Sequence, residues 1–420
     1  MREEAARAAA ERVIGRCREI AGYTETSGEI SRPFLCESAR EVHALLRGWM
    51  EQAGMDVRLD SAGNLRGTYA GADPRGPRLL MGSHLDTVPN AGAFDGVFGV
   101  VTAVAVVEEL HGERLPFAIE VIGFSEEEGV RFARPFLGSM AVAGRFDRDL
   151  MLLKDRNGVT VESALESFGL DPSRMAEASA DEGAIGYLEV HIEQGPVLES
   201  EGRQLGVVGE IVGQTRLLLT FRGQCNHAGT TPMQMRHDPV AAAAEWIVAV
   251  EAQARATEGL VATVGRLEAR PGAANVIAGE VIATLDLRHA GDAERDDAAE
   301  GLRSIAQETA RRRGVSVTIE TTVEQAAVPM ARGISGALER AADQAGYEAK
   351  RMSSGAGHDA MVLAERMPAA MLFVRSPGGV SHAPEELVLP EDAAAAIETV
   401  MEFLRLLRDG EGIDRVSGYA

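Results

Sequence analysis

The 420-residue sequence predicts an α/β protein with a mostly parallel sheet, carrying an inserted ferredoxin-like α+β module. Three observations predict it. Apolar strand-like runs alternate with helical periodicity through the first half of the chain. Residues 212–326 instead follow the order β-α-β-β-α-β, that of a ferredoxin-like module. The α/β alternation resumes at 327, so the first domain is discontinuous, 1–211 with 327–420.

Element by element, helical periodicity covers 2–22 and 37–54, and PRLLMGSHL (77–85) reads as a strand. VFGVVTAVAVVEEL (97–110) is a strongly apolar helix, and FAIEVIGF (117–124) is apolar but for Glu120 and reads as a buried parallel strand. In GYLEVHIEQG, Leu188, Val190 and Ile192 face one way and Glu189, His191 and Glu193 the other. The inserted module reads as strand RLLLTFRG, helix 239–256, strand VATVGRLEA (261–269) and strand EVIATLDLRH (280–289). Helix 296–313 follows, then strand VSVTIETTV. That second helix stops at Gly314, and Arg311, Arg312 and Arg313 complement its dipole. A helix near 333–346, a strand at 367–375 and a helix from Pro390 complete the first domain.

Composition narrows the function classes. Forty-two basic residues against 64 acidic ones give a formal charge of −22, which argues against nucleic acid as a partner. No apolar run approaches the ~20 residues that span a bilayer, and the charged amphipathic start does not read as a secretory signal. Three scattered cysteines (Cys17, Cys36, Cys225) make no disulfide framework. A soluble, cytoplasmic protein is expected.

The chemistry-bearing residues gather where predicted strands end. HExxH, GxSxG, a Walker loop and a strand-borne GxGxxG are all missing from the sequence. GSHLDTVPNAGAFDGVFGV stands at the end of the 77–85 strand, with His84 and Asp86 two apart and on one side of an extended backbone. Asp86 is thereby placed to accept from the second nitrogen of His84 and fix its tautomer. Asp95 follows in a turn bracketed by Gly92, Gly96 and Gly99. FSEEEGVRF sets three carboxylates directly after an apolar strand, where they repel one another unless cations hold them. His191, and His382 in SPGGVSHAPEE, join the set. Singly, each reads as a turn acid or a core histidine. Together, His, Asp and Glu without cysteine suit two divalent ions such as Zn²⁺ or Mn²⁺ bridged by one carboxylate, a pair that activates water for hydrolysis.

HLDTV…FDG, EEEG, HIEQGP, NHAGTTPM and SHAPEE, in this order, resemble the dinuclear-metal amidohydrolases of the M20 peptidase clan. HIEQGP and NHAGTTPM resemble the branch with N-carbamoyl-L-amino-acid hydrolases, β-ureidopropionase and allantoate amidohydrolase. Ala91, where the branch often has Gly, is a small departure that touches no ligand. The resemblance implies two divalent ions per subunit (Zn²⁺, Mn²⁺, Co²⁺ or Ni²⁺) held by His84, Asp95, Glu128, His191 and His382, with Asp95 as bridge. It implies Glu127 as general base, with Glu126 the spare in the triple-Glu run, and Asp86 orienting His84. In the inserted module it implies His227 and Asn275 as oxyanion donors and Arg288 as the fork for a substrate carboxylate. A surface ion pair between Arg288 and Asp286 is the alternative. Gln194 and the backbone at Gly355 and Ala356 would complete the pocket, and His358 is catalytic or structural. The implied activity is hydrolysis of a small anionic ureido or amide substrate, an N-carbamoyl-L-amino acid or allantoate. A dizinc aminopeptidase or dipeptidase, or an inactive binding homologue, are the other readings. The implied assembly is a homodimer through an inserted lid domain.

Overall fold

The computed structural model describes residues 3–180 and 183–410. Residue 2 of the expected first helix and the outermost residues of the first domain, 1–2 and 411–420, lie outside them. The chain divides into two compact units, Met1–Gly209 with Pro329–Ala420, and Glu210–Val328.

The first unit is built on a nine-stranded sheet. Its order is Asp56–Leu59, Leu65–Tyr69, Ala118–Phe124, Arg78–His84, Ala184–Ile192, Ala369–Val374, Leu205–Ile211 and Val328–Pro329, with Lys350–Ser354 also paired to Leu205–Ile211. The four central strands are mutually parallel, and pairs toward the margins are antiparallel. The apolar run at 118–124 and the alternating run at 184–192 are both buried on two faces. The polar side of the second strand, Glu189 and His191, therefore faces protein interior, where polar groups need partners.

Helix Val97–Glu109 is buried from Val97 through Val107, which explains its apolar character all round. Helices Glu3–Ala21, Arg332–Ala345 and Pro390–Arg408 pack with it into one core. Helix Glu37–Gln52 instead packs on the hairpin Asp56–Leu59 and Leu65–Tyr69, which no apolar pattern in the sequence marks. That hairpin carries a buried ion pair, Arg66 Nε to Glu120 Oε1 at 2.7 Å. Among the described residues, no helix is long and apolar enough to cross a membrane.

The second unit holds a five-stranded antiparallel sheet in the order Leu267–Arg270, Glu280–His289, Gly213–Arg222, Ser316–Gln325, with Val261–Thr263 also beside Glu280–His289. The strand expected over 261–269 is thus two short strands, broken at residues 264–266. Helix Asp292–Arg313 starts four residues before the expected 296 and ends at Gly314 in the left-handed region (φ 68°). Helix Pro239–Ala256 is capped by Asp238, whose side chain accepts from the Val240 N–H. Both helices pack through Trp246, Leu302 and Phe221 onto one face of the sheet. Thr284, Asp286 and Arg288 lie on the other face, partly exposed.

Candidate metal centre

The carboxyl ends of the four parallel strands deliver most of the predicted residues to one place, as open α/β sheets tend to do. His84 ends its strand, and Glu127 and Glu128 follow Phe124. His191 is next to last in its strand, and His382 comes eight residues after Val374. Asp95 arrives separately, on the loop before helix Val97–Glu109.

Asp95 is the common point. Its Oδ1 lies 3.8 Å from His84 Nε2 and 3.3 Å from His191 Nε2, and its Oδ2 lies 3.1 Å from His382 Nε2. His382 Nε2 is also 3.6 Å from Glu128 Oε1. Two groups that could hold an ion therefore share Asp95: His84–Asp95–His191 and Asp95–Glu128–His382. A third, His84–Glu127–Glu128, overlaps both, while Glu126 enters none of these groups and is fully buried.

The ring nitrogens carry the test of whether an ion fits. His191 Nδ1 donates to the Ile192 carbonyl at 2.9 Å, so its Nε2 presents a lone pair. That atom is buried without a hydrogen-bond partner and faces an Asp95 oxygen, another acceptor. His84 Nδ1 donates to the backbone carbonyl of Asp86 at 3.0 Å, leaving its Nε2 turned toward the same carboxylate. A buried imidazole lone pair aimed at a carboxylate, as at His191, is repelled by it unless a cation lies between them. The donor set, nitrogen and oxygen without sulfur, fits a divalent ion of the zinc or manganese kind.

Asp86 meets His84 Nδ1 with both its carbonyl and its carboxylate. The closer contact to His84 Nδ1 is the Asp86 carbonyl at 3.0 Å, against 3.5 Å for its carboxylate Oδ1. The carboxylate also accepts from the N–H groups of Glu127 (2.9 Å) and Glu128 (3.1 Å). One residue thus orients His84 through its backbone and holds the two glutamates through its side chain.

The charges respond as a crowded acidic pocket requires. Burial, followed by the neighbouring carboxylates of Glu128, Asp359 and Asp86, raises Glu127 well above the usual glutamate range, against the pull of His84. Glu128 is raised to about 7, by burial first. Asp95 goes the other way: burial opposes ionisation, but His382, His191 and His84 together hold it well below the usual carboxylate range. Burial lowers His191 to about 4 in spite of Asp95. Burial also works against a charged His84, but the Asp86 hydrogen bond and the charges of Glu127, Asp86 and Asp95 outweigh it.

The other predicted residues are placed as follows. Gln194, at φ 58°, donates from Nε2 to both Asp95 oxygens and to Ser381 Oγ, each at 3.1 Å, so it lies against the centre. Gly355 and Ala356 form the turn after strand Lys350–Ser354, where the Ala356 N–H donates to Ser354 Oγ at 3.2 Å. That hydroxyl meets His358 Nε2 at 2.8 Å, and the His358 ring stands edge-on to His191 with centroids 4.4 Å apart.

His227, Asn275 and Arg288 belong to the second unit. His227 pairs with Val276 across a two-residue ladder, which sets Asn275 beside it, and the Asn275 carbonyl accepts from Ala228 N at 3.0 Å. His227 Nδ1 accepts from the N–H groups of Gly229 (3.1 Å) and Thr230 (3.2 Å), so its proton is on Nε2, as a donor. Arg288 makes the ion pair held open as the alternative, with Nε and Nη2 on the two Asp286 oxygens at 2.9 and 3.0 Å. Gln214 and Arg216 also donate to Asp286.

Two acids that sequence reasoning passed over complete the surroundings. Glu189 accepts from Ser83 Oγ and Ala360 N, both at 2.8 Å, and burial pushes it up to about 7. Glu386 accepts from Phe94 N (2.8 Å) and Asp95 N (2.9 Å). The only sequence signal for Glu386 was its place in SHAPEE, four residues after a presumed ligand.

Residues 80–406 match the pattern of Peptidase family M20/M25/M40. The chain belongs to this family. Family members generally bind divalent metal ions, in keeping with the clustered His, Asp and Glu side chains. An N-carbamoyl-L-amino acid amidohydrolase of Geobacillus stearothermophilus is 40% identical, over 92% of this chain and 95% of the relative. Allantoate deiminase 1 of Glycine max is 38% identical, over 94% of this chain and 89% of the relative. A solved hydantoinase/carbamoylase family amidase from Burkholderia ambifaria superposes with a TM-score of 0.89 at 35% identity, covering 96% of this chain and 98% of the other.

Proposed function

We propose that this family member, an amidohydrolase of linear amide or ureido C–N bonds, acts on N-carbamoyl-L-amino acids, giving the amino acid, CO₂ and ammonia. The observation that carries the reading is the pair of ligand clusters sharing Asp95 with Glu127 beside them. The 40% identity to an N-carbamoyl-L-amino acid amidohydrolase supports the substrate.

The reading assigns two divalent ions per chain to His84, Asp95, Glu128, His191 and His382. When bound, such ions supply Lewis acidity toward a carbonyl and toward water. Glu127 takes the proton of the attacking water, and its raised affinity for protons suits it to carry that proton to the leaving nitrogen. His227, a donor at Nε2, and Asn275 stabilise the oxyanion. Arg288 holds the substrate carboxylate as a fork, its plane fixed by Asp286 through Nε and Nη2. Gln194, Gly355 and Ala356 contact the remainder of the substrate. The inserted unit is assigned as a ferredoxin-like lid that pairs two subunits in a homodimer, a role taken from the resemblance of NHAGTTPM and its surroundings.

A second reading, allantoate as substrate, is favoured by the 38% identity to allantoate deiminase 1. Ammonia release from N-carbamoyl-L-amino acids, N-carbamoyl-β-alanine and allantoate, after chelation and reloading with Mn²⁺, Zn²⁺ or Co²⁺, decides between them. Metal-dependent turnover of the first group bears the proposal out. Turnover of allantoate alone replaces it with the second reading, and silence toward all three overturns the ureido assignment.

A further inference from the structure

Glu386 belongs to neither ligand cluster, yet its carboxylate touches the loops that carry them. Oε1 accepts from the backbone N–H groups of Phe94 (2.8 Å) and Asp95 (2.9 Å). Oε2 accepts from Ser381 Oγ at 3.1 Å, one residue before His382. The same hydroxyl accepts from Gln194 Nε2 at 3.1 Å. Glu386 is only 5% exposed, and a buried carboxylate is costly unless hydrogen bonds hold it. Gly92 makes the room, since a Cβ there would stand 2.3 Å from Glu386 Cβ and 2.5 Å from its Cδ.

The two clusters differ in how the backbone fixes them. His84 and His191 lie at the carboxyl ends of strands Arg78–His84 and Ala184–Ile192, which are parallel neighbours in the sheet. His382 sits in a loop at φ 55° with its side chain 49% exposed. Asp95 is likewise on a loop, and Glu386 ties those two loops together.

We propose that Glu386 is a positioning residue that sets the approach of His382 to Asp95, and with it the affinity of the Asp95–Glu128–His382 cluster for its ion. The proposal rests on the two-ion reading above. Its measure is ion affinity, by competition of Zn²⁺ or Mn²⁺ against a graded chelator on the full chain.

The wild type binds two ions, and in Glu386→Ala the ion of the His382 cluster weakens by about 10–100-fold, the usual effect of losing a residue that supports a ligand, and by more than the other ion, which shares only Asp95 with it. Glu386→Gln recovers most of the loss, because its amide oxygen accepts the same two N–H groups and its amide nitrogen can donate to Ser381 Oγ. Gly92→Ala, which leaves the carboxylate in the chain but displaces it, weakens the same ion. Two wild-type affinities in Glu386→Ala, or in Gly92→Ala should Glu386→Ala not fold, overturn the proposal. Equal weakening of both ions overturns it too, since that is general damage. A wild type that binds no ion is a different failure, that of the two-ion reading itself.

Discussion

Replacing Gly96 by Ala perturbs the centre with a single methyl group. Gly96 has φ +65°, and a Cβ there would stand 2.5 Å from Cγ, Cδ2 and Cε1 of His84. Carbon atoms in contact prefer about 3.5–4.0 Å, so the ring must move by roughly 1 Å or the loop must open. With ψ at −54° the positive φ costs a residue with a Cβ at least as much as the left-handed region does, about 1–2 kcal/mol. Overpacking a filled interior adds about 1–3 kcal/mol. The loss for Gly96→Ala is then about 2–5 kcal/mol in the metal-free protein. The His84–Asp95–His191 cluster should weaken as well, because the displaced ring is one of its members. Urea unfolding of chelated protein reads the first effect, and chelator competition reads the second. Gly48→Ala is the control: nothing lies within 4 Å of that Cβ inside helix Glu37–Gln52. It should stabilise by about 0.5–1 kcal/mol. A Gly96→Ala protein within about 0.5 kcal/mol of wild type, the scatter of ordinary surface changes, and with unchanged ion affinity would refute the reasoning.

Three further outcomes are expected. Glu127→Gln should keep both ions by elemental analysis while turnover falls by about 10²–10⁴-fold, the span of a lost general base; unchanged turnover would remove Glu127 from the mechanism. His43 is held neutral, lowered to about 4 by burial and then by Arg32, Arg47 and Arg40. Below its unfolded value of 6.5 the unfolded chain takes the proton first, so this group's contribution to stability is lost as pH falls from 6.5 toward 4. His43→Leu should therefore gain on wild type across that window in urea midpoint, and a pH-independent difference would count against it. Trp246 is fully buried and donates from Nε1 to the Leu302 carbonyl at 3.1 Å, so Trp246→Ala should cost about 3–5 kcal/mol in the inserted unit. A change below about 1 kcal/mol would show that the unit's core lies elsewhere.

The parts legible in the sequence were those where one-dimensional pattern and burial agree. The run at 118–124, Glu120 apart, and the run at 97–107 are apolar because sheet and helix bury them on every side, and both elements stand within a residue of where periodicity puts them. The hairpin Asp56–Leu59 and Leu65–Tyr69 was not legible, since Arg66 is buried against Glu120, a partner 54 residues away, and polar residues carry no strand signal. The run 261–269 satisfies strand composition, but its middle, residues 264–266, leaves the ladder, and register is a property of the partner strand. At the centre, His84, Asp95 and His382 could be named from their neighbours in sequence. The double duty of Asp86 could not, because which of its oxygens meets His84 depends on backbone torsions. Glu386 was hidden for a related reason: its bonds to the Phe94 and Asp95 N–H groups span more than 290 residues.

The central claim is that one carboxylate, Asp95, serves two ions. Ion content per chain after equilibrium dialysis against Zn²⁺ or Mn²⁺, for wild type and Asp95→Ala, tests it most directly. Two ions in the wild type and fewer than one in Asp95→Ala is the predicted result, because both clusters lose a member. Two ions held by Asp95→Ala at wild-type affinity, or none by the wild type, would contradict it.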